Sequence, residues 1–294
     1  MDRLFRMFSL ALFALIAGGC GQNCIKELNV TYGKADGQEL KLDVFSPVTK
    51  SEKPRPAAII VHGGAWSAGD RRDGHEMAPY LAKEGIVVFC IGYRLVNDTG
   101  NRWPAQLDDN QRAMRWVRAH ASQYGIDPNR IAAMGGSAGG HIVACMGTSD
   151  TRDNSDPERA AYSSRPNCVV MMCGPTDLTE DFSKKVKQGE WCNEQIRRLL
   201  GGKPEEVPEL ANSASPLFHV DVKTPPTLIC QGRTDELVPF DHAERFDAAL
   251  RKAGVESVLF MHKGGHGFDE DGKEFMEFIK VMDAFLKKHL KPQP

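Results

Sequence analysis

The sequence lacks the features that mark several common classes of protein. Its 37 Lys and Arg are balanced by 39 Asp and Glu, which gives a net charge of −2, whereas proteins that bind nucleic acid carry clustered basic residues. It contains no C-x-x-C pair, no H-E-x-x-H and no P-loop, so a zinc ribbon, a zinc protease and a nucleotide-binding loop are not indicated. Internal repeats and low-complexity tracts are also absent. We therefore expect no nucleic-acid partner, no metal and no cofactor.

The apolar run near the start of the chain is too short for a membrane span. It covers residues 8–17, whereas a helix that crosses a bilayer needs about 20 apolar residues. Arg3 and Arg6 precede the run, and small residues follow it. This order of basic, apolar and small residues is typical of a secretory signal peptide.

Two glycines stand directly before Cys20, which resembles a bacterial lipoprotein signal. The resemblance implies that residues 1–19 are removed, that Cys20 carries lipid and that 20–24 form a short anchor segment. Ala17 departs from the pattern, which usually has Leu at this position. The alternative is ordinary cleavage and a secreted protein. In both cases we expect an exported protein, either attached to the cell envelope, at the periplasmic or outer surface, or secreted.

The eight cysteines do not indicate a particular disulfide framework. Seven remain besides Cys20, an odd number, and a sequence alone cannot assign pairs. Cys90, Cys145, Cys173 and Cys230 lie within apolar runs, where the simplest interpretation is a small buried hydrophobic side chain. Disulfide pairing and oligomeric state are therefore left open.

Short, nearly unbroken apolar runs alternate with longer amphipathic segments through most of the chain. This pattern is typical of a parallel sheet that helices cover on both faces. Residues 25–45 instead alternate apolar and polar side chains around a turn, which predicts an antiparallel hairpin. The apolar runs are 57–61, 86–91, 131–134, 169–173, 227–230 and 258–261, and the helical segments are 76–84, 104–124, 240–253 and 274–290.

We therefore predict one α/β domain over 25–294, with a mostly parallel, doubly wound sheet. Residues 178–215 interrupt the alternation, because they are long, polar and carry only a modest helix at 193–200. A connection of this length inside a compact domain is usually functional. We expect an insertion or lid over the site rather than a separate domain.

A G-x-S-x-G motif around Ser137 is the strongest chemical signal. It follows the predicted strand 131–134 and precedes a helix-like stretch, which is the context that a nucleophile elbow requires. The sharp strand-to-helix turn strains the serine backbone, and only glycine tolerates the crowding two residues before and after it. This motif predicts that Ser137 is a nucleophile at the edge of the sheet.

A second glycine-rich loop, His62-Gly63-Gly64-Ala65-Trp66, follows the predicted strand 57–61. Acyl transfer turns a carbonyl oxygen into an anion, and preorganised N–H donors must point at it. We assign the N–H groups of Gly63 and Gly64, together with that of Ala138, to an oxyanion hole. His62 is interpreted as a residue that shapes the loop.

A general base and its acid partner are expected to follow the serine along the chain. Asp235 comes after the predicted strand 227–230, and His266 comes after 258–261 in a glycine-rich loop. The carboxyl ends of parallel strands form the rim where open sheets bind ligands. We predict that His266 reaches Ser137 and that Asp235 orients His266.

Other acids and histidines compete for these roles. Glu236 and Asp177 are the alternative acids. His242 is expected on a solvated helix face, and His262 lies too close to the body of its strand. Asp235 and His266 are therefore preferred.

These motifs resemble those of the α/β-hydrolase superfamily. Within it, the chain is similar to bacterial carboxylesterases related to hormone-sensitive lipase and to the acetylxylan and feruloyl esterases (BD-FAE-like). The resemblance covers 26–290 and implies a serine esterase with the triad Ser137, Asp235 and His266. Besides HGGAW and GGSAGG, the matching segments are 69–71, 92–95, 103–109, 124–128 and His141.

Two positions depart from the family pattern. Ala65 replaces the third glycine of an HGGG loop, and Gly136 stands where lipases often have Asp. The second departure favours the polysaccharide-esterase branch. We therefore predict hydrolysis of short-acyl esters, such as acetyl or feruloyl groups on a polysaccharide or small carbohydrate.

Two further functions are kept as alternatives. An amidase, formamidase or peptidase could use the same triad. A binding module on this scaffold belongs to another functional class and would be expected to lack a triad member, yet no member is missing.

Several polar and aromatic residues near these motifs have plausible structural roles. Asp70, Arg71 and Arg94 are interpreted as an ion network. Trp66 is assigned to substrate binding, with a place in the core as the alternative. Trp191 is a candidate for stacking on sugars, but we expect it in the core of the insertion.

Overall fold

The computed structural model describes residues 24–152, 159–268 and 272–292. The predicted signal peptide (1–19) and Cys20 lie outside the described residues. Within these ranges, no helix has both the length and the apolar character that a bilayer crossing requires.

Eight strands form one sheet in the order β1-β2-β4-β3-β5-β6-β7-β8. The pairs β1–β2 and β2–β4 are antiparallel, and every other neighbouring pair is parallel. The predicted fold class and N-terminal hairpin are therefore confirmed. The strands are β1 (Cys24–Ala35), β2 (Gln38–Pro47), β3 (Arg55–Val61), β4 (Val87–Ile91), β5 (Ile126–Gly136), β6 (Cys168–Met172), β7 (Thr227–Gly232) and β8 (Ser257–His262).

Helices cover both faces of the sheet because neighbouring strand residues point to opposite sides. Ile59 belongs to the apolar cluster under α2, α4, α5 and α7, whereas Ala58 belongs to the cluster under α1 and α8. The helices are α1 (Ala78–Lys83), α2 (Ala105–Ala119), α3 (Ala121–Tyr124), α4 (Ala138–Thr148), α5 (Gly189–Leu200), α6 (Pro208–Ser213), α7 (Asp241–Lys252) and α8 (Lys273–His289).

The segment 178–215 contains more helix than its sequence suggests. Helix α5 begins at Gly189 rather than near residue 193, and α6 is an additional short helix. The apolar side of α5 joins the main core through Ile196 and Leu199. The N–H of Gln188 donates to the carbonyl of Glu236 at 3.0 Å, which ties the segment to the loop after β7.

Candidate active site

Ser137 lies in a strained turn between β5 and α4. Its φ of 55° and ψ of −123° are rare for a residue other than glycine. A Cβ on Gly135 would lie 2.5 Å from the backbone of Gly139, and a Cβ on Gly139 would lie 2.1 Å from the carbonyl oxygen of Val61. The flanking glycines are therefore required by close backbone contacts.

The structure brings Ser137, His266 and Asp235 together at the carboxyl edge of the sheet. The Nε2 of His266 lies 2.9 Å from the Ser137 Oγ, and its Nδ1 lies 2.8 Å from the Asp235 Oδ2. A carboxylate only accepts hydrogen bonds at neutral pH, so Nδ1 carries the proton. Nε2 is then free to accept the proton of the serine hydroxyl. These distances fit the predicted roles of nucleophile, base and orienting acid.

Asp235 is buried and held by donors on both carboxylate oxygens. Its Oδ1 accepts from the N–H groups of Leu237 at 2.8 Å and Val238 at 2.9 Å. Its Oδ2 also accepts from the Nε2 of Gln231 at 2.8 Å. These contacts fix the carboxylate that orients His266 and stabilise its negative charge. No motif marks Gln231, a buried residue of β7, so its role could not be predicted from the sequence.

The competing acids lie in other environments. The carboxylate of Glu236 lies against Gly265: a Cβ added to Gly265 would be only 2.7 Å from a carboxylate oxygen. Asp177 pairs with Arg245 at 3.0 Å. Neither position provides the Nδ1 contact that Asp235 makes with His266.

The competing histidines also have structural partners. The expectation that His242 is solvated is wrong, because its side chain is fully buried. Its Nδ1 accepts from the N–H of Thr176 at 3.1 Å, and its Nε2 donates to Glu180 at 3.3 Å. His262 ends β8 and stacks on Phe268 with the ring centroids 4.4 Å apart. The sequence could not show that His242 is buried, because its burial depends on contacts with the insertion.

Two of the three predicted oxyanion-hole residues, Gly63 and Ala138, lie beside the serine. A Cβ on Gly63 would lie 3.4 Å from the Ser137 Cβ, so this loop packs directly against the elbow. Gly64 has a φ of +107°, and its carbonyl accepts from Ala68 in a tight turn. Ala138 begins α4, where a helix leaves its first N–H groups without intrahelical acceptors. The role of these three donors stays a prediction.

His62 supports the same loop. Its Nδ1 donates to the carbonyl of Gly63 at 2.8 Å, and its ring stacks on Tyr93 at 4.2 Å. The Tyr93 hydroxyl donates to the carbonyl of His62 at 3.0 Å. Burial lowers the pKa of His62, which favours the neutral ring at physiological pH. These contacts are consistent with the interpretation of His62 as a loop-shaping residue.

The two tryptophans differ in exposure. Trp66 is 4% exposed, and its indole N–H donates to the Nδ1 of His141 at 3.1 Å. This packing places Trp66 in the core, and its contact with substrate stays a prediction. Trp191 is 37% exposed, so the expectation that it lies in the core of the insertion is wrong.

The charged residues near the site form two groups. Arg94 binds the buried Asp109 through two nitrogens. Arg71 pairs with Asp43 at 3.0 Å and with Asp70 at 3.7 Å, and Asp70 also caps a 3₁₀ turn at Arg71–His75. In the ranges that the structure describes, no three His, Cys, Asp or Glu side chains are grouped to hold a metal ion. Six described cysteines carry free thiols: Cys90, Cys145, Cys168, Cys173, Cys192 and Cys230.

Comparison with known proteins identifies a common family. The BD-FAE family model matches residues 42–250. The probable carboxylic ester hydrolase LipM of Mycobacterium tuberculosis is 32% identical over 239 residues, which cover 79% of this chain and 53% of LipM. The acetylxylan esterase of Xylanibacter ruminicola is 30% identical over 87% of this chain and 48% of its own length. The chain thus spans about half the length of these curated relatives.

A solved structure matches over most of both chains. Esterase 2 of Thermogutta terrifontis, phosphorylated by paraoxon, superposes with a TM-score of 0.74 at 27% identity, covering 92% of this chain and 97% of the esterase. The similarity therefore extends across the whole sheet and its helices.

Proposed function

This chain belongs to the BD-FAE family of α/β-hydrolase serine esterases, and from that premise we propose that it hydrolyses short-acyl carboxylic esters. The observation that supports this most directly is the hydrogen-bond path from the Ser137 hydroxyl through His266 to Asp235. A similar esterase from Thermogutta terrifontis is phosphorylated by paraoxon, a reaction that an activated nucleophile explains. An ester carbonyl is therefore the electrophile that we expect here.

The geometry suggests a mechanism in two halves. The Nε2 of His266 removes the Ser137 proton as the oxygen attacks the ester carbonyl, and the new oxyanion receives hydrogen bonds from Gly63, Gly64 and Ala138. The imidazolium, stabilised by Asp235, returns the proton to the departing alcohol. Water then attacks the acyl-enzyme by the same route and releases the acid.

Replacing the nucleophile tests this proposal. We expect Ser137→Ala to abolish hydrolysis of p-nitrophenyl acetate and labelling by a fluorophosphonate, because no other hydroxyl occupies this position. Far-ultraviolet circular dichroism should show an unchanged fold. Full activity of the folded variant would contradict the assignment of Ser137.

The substrate class that we propose is a carbohydrate carrying acetyl or feruloyl esters. It is supported by the similarity to an acetylxylan esterase and by Gly136 before the nucleophile, where related lipases often have Asp. Turnover on acetylxylan and feruloylated oligosaccharide should be compared with turnover on p-nitrophenyl butyrate and on N-formyl and peptide amides. Preference for the amides would favour an amidase, and absence of any turnover would favour a binding module.

We also propose that the chain is exported and carries lipid on Cys20. The supporting observation is the basic, apolar and small-residue order of residues 1–20. Metabolic labelling with palmitate should label the parent and not the Cys20→Ala variant. A parent that incorporates no palmitate would contradict the lipid anchor, and secretion into the medium would then indicate ordinary cleavage.

A further inference from the structure

Cys173 lies directly after β6, between the serine and histidine of the candidate site. Its side chain is buried, and its backbone N–H donates to the carbonyl of Cys230 at 2.8 Å. The preceding residue, Met172, accepts a hydrogen bond from the N–H of Ser137 at 2.8 Å. The backbone at the end of β6 is therefore joined to the nucleophile elbow on one side and to β7 on the other.

The thiol itself contacts the backbone of the catalytic histidine. The Sγ of Cys173 lies 3.3 Å from the carbonyl oxygen of His266. Burial and the nearby carboxylate of Asp235 raise the pKa of this thiol. The sulfur therefore stays protonated and can donate to the carbonyl of His266.

The backbone conformation at Cys173 is also unusual. Its φ is +42°, in the left-handed region that residues other than glycine rarely adopt. A Cβ on the next residue, Gly174, would lie 2.6 Å from the backbone of Gly140 and His141. The start of α4 is therefore in close contact with this turn. Such strain persists only where the surrounding structure overdetermines the conformation, and it is concentrated at functional sites.

We propose that Cys173 is a positioning residue whose thiol holds the backbone of His266 in register with Ser137. The end of β6 joins two segments that are 129 positions apart in the chain. The carbonyl of Met172 accepts from the N–H of Ser137, and the thiol of Cys173 contacts the carbonyl of His266. These segments must keep their separation for proton transfer. This inference rests on the proposed esterase function. In this role Cys173 does not touch the substrate and acts only through His266.

Two substitutions separate this role from simple space filling. Cys173→Ala keeps the Cβ and removes the hydrogen bond to His266, and Cys173→Ser supplies a hydroxyl that can donate to the same carbonyl. We expect kcat on p-nitrophenyl acetate to fall about tenfold in the alanine variant, the loss typical of one hydrogen bond. KM should stay within about twofold, and the serine variant should recover most of the loss.

The matched control is Cys168→Ala, which removes a buried thiol at the start of β6, in the core layer under α1 and α8. It should leave kcat unchanged even where it lowers stability. The rate of fluorophosphonate labelling provides a second readout, because it reports the reactivity of Ser137 without the deacylation step. The labelling rate should be highest in the parent, lower in Cys173→Ser and lowest in Cys173→Ala.

The outcomes distinguish the two proposals. A parent enzyme that neither hydrolyses esters nor reacts with the fluorophosphonate would overturn the proposed function. An active parent with equal kcat and labelling rates in both Cys173 variants would overturn only the positioning role. Equal losses in the alanine and serine variants would also overturn it, because they would indicate packing rather than hydrogen bonding.

Discussion

At the scale of single residues, the hydrogen bonds that surround Asp235 matter as much as the triad contacts themselves. Three donors besides His266 bind its carboxylate, and the side chain of Gln231 supplies one of them. The Oε1 of Gln231 is buried and has no hydrogen-bond partner among the described residues. Burying an oxygen without a partner costs free energy, and the hydrogen bond that the amide N–H donates to Asp235 explains why Gln231 is buried here.

We therefore expect Gln231→Met to impair turnover. It removes one donor from Asp235 and leaves His266 less firmly oriented, so kcat should fall about tenfold at a similar KM, as expected for one hydrogen bond to a charged group. Steady-state kinetics on p-nitrophenyl acetate provides the measurement. Gln106→Met is the control, since Gln106 is equally buried but donates to Arg94 and Asn101. An unchanged kcat in the Gln231 variant would show that Asp235 does not need this donor.

The conformation of Gly64 leads to a second prediction. A Cβ at this position would lie 2.2 Å from the carbonyl of Ala68, at a φ of +107°. Gly64→Ala should therefore displace the loop and lower kcat by about 10² to 10³, the usual effect of losing one oxyanion donor. Gly37→Ala is the matched control, because Gly37 has a φ of +75° in open space. It should cost only about 1–2 kcal/mol of stability, and equal kinetic losses in both variants would contradict the role of Gly64.

At the scale of elements, ion pairs attach the insertion to α7. Glu180 accepts from His242 and pairs with Lys185 and Arg245, and Arg245 also pairs with Asp177. The thiol of Cys192 donates to the carbonyl of Leu237 at 3.1 Å, two residues from the catalytic acid. The insertion is thus connected to the loop that carries Asp235.

These ion pairs make the insertion sensitive to acid. The hydrogen bond from His242 is the main cause that lowers the pKa of Glu180 to about 2, from 4.5. Because the folded-state pKa lies below the unfolded one, Glu180 stabilises the fold fully above about pH 4.5, and this stability is lost as the pH falls toward 2. Urea unfolding of Glu180→Gln should show a shallower decrease of stability over this range than the parent. Glu190→Gln, at an exposed position of α5, should keep the parent's slope, and identical slopes in all three proteins would contradict this account.

At the scale of the whole molecule, the catalytic residues lie apart from a large part of the apolar core that stabilises the fold. The apolar side of α8 packs on the face opposite the insertion. Its buried residues are Phe275, Phe278, Ile279, Met282, Phe285 and Leu286. The triad lies at the carboxyl edge, outside this layer. Packing under α8 can therefore change without direct contact with the reacting groups.

Met282 allows this separation to be tested. Its side chain is fully buried at the centre of α8, so Met282→Ala should lower the free energy of unfolding by about 2–5 kcal/mol. Below the unfolding transition, kcat should match that of the parent. Urea denaturation and steady-state kinetics on the same preparation measure both quantities. A large loss of kcat in the folded variant would show that α8 is coupled to the site.

Features that depend on local steric and hydrophobic rules could be predicted from the sequence. Apolar runs of strand length predicted the sheet, because a parallel strand is buried on both faces. The glycines around Ser137 and in the 62–66 loop indicated tight turns, since a side chain there would overlap the backbone. The expected meeting of Asp235, His266 and Ser137 followed from the shared edge at which parallel strands end.

Features that depend on contacts between distant segments become visible only in the folded chain. His242 is buried because the insertion covers α7, and Trp191 is exposed because α5 turns other side chains toward the core. Gln231 lies in β7 and Cys173 directly after β6, and the significance of both appears only when β6, β7 and the histidine loop are packed together. Their hydrogen bonds join residues with no common local pattern, so no periodicity or spacing in the chain could have revealed them.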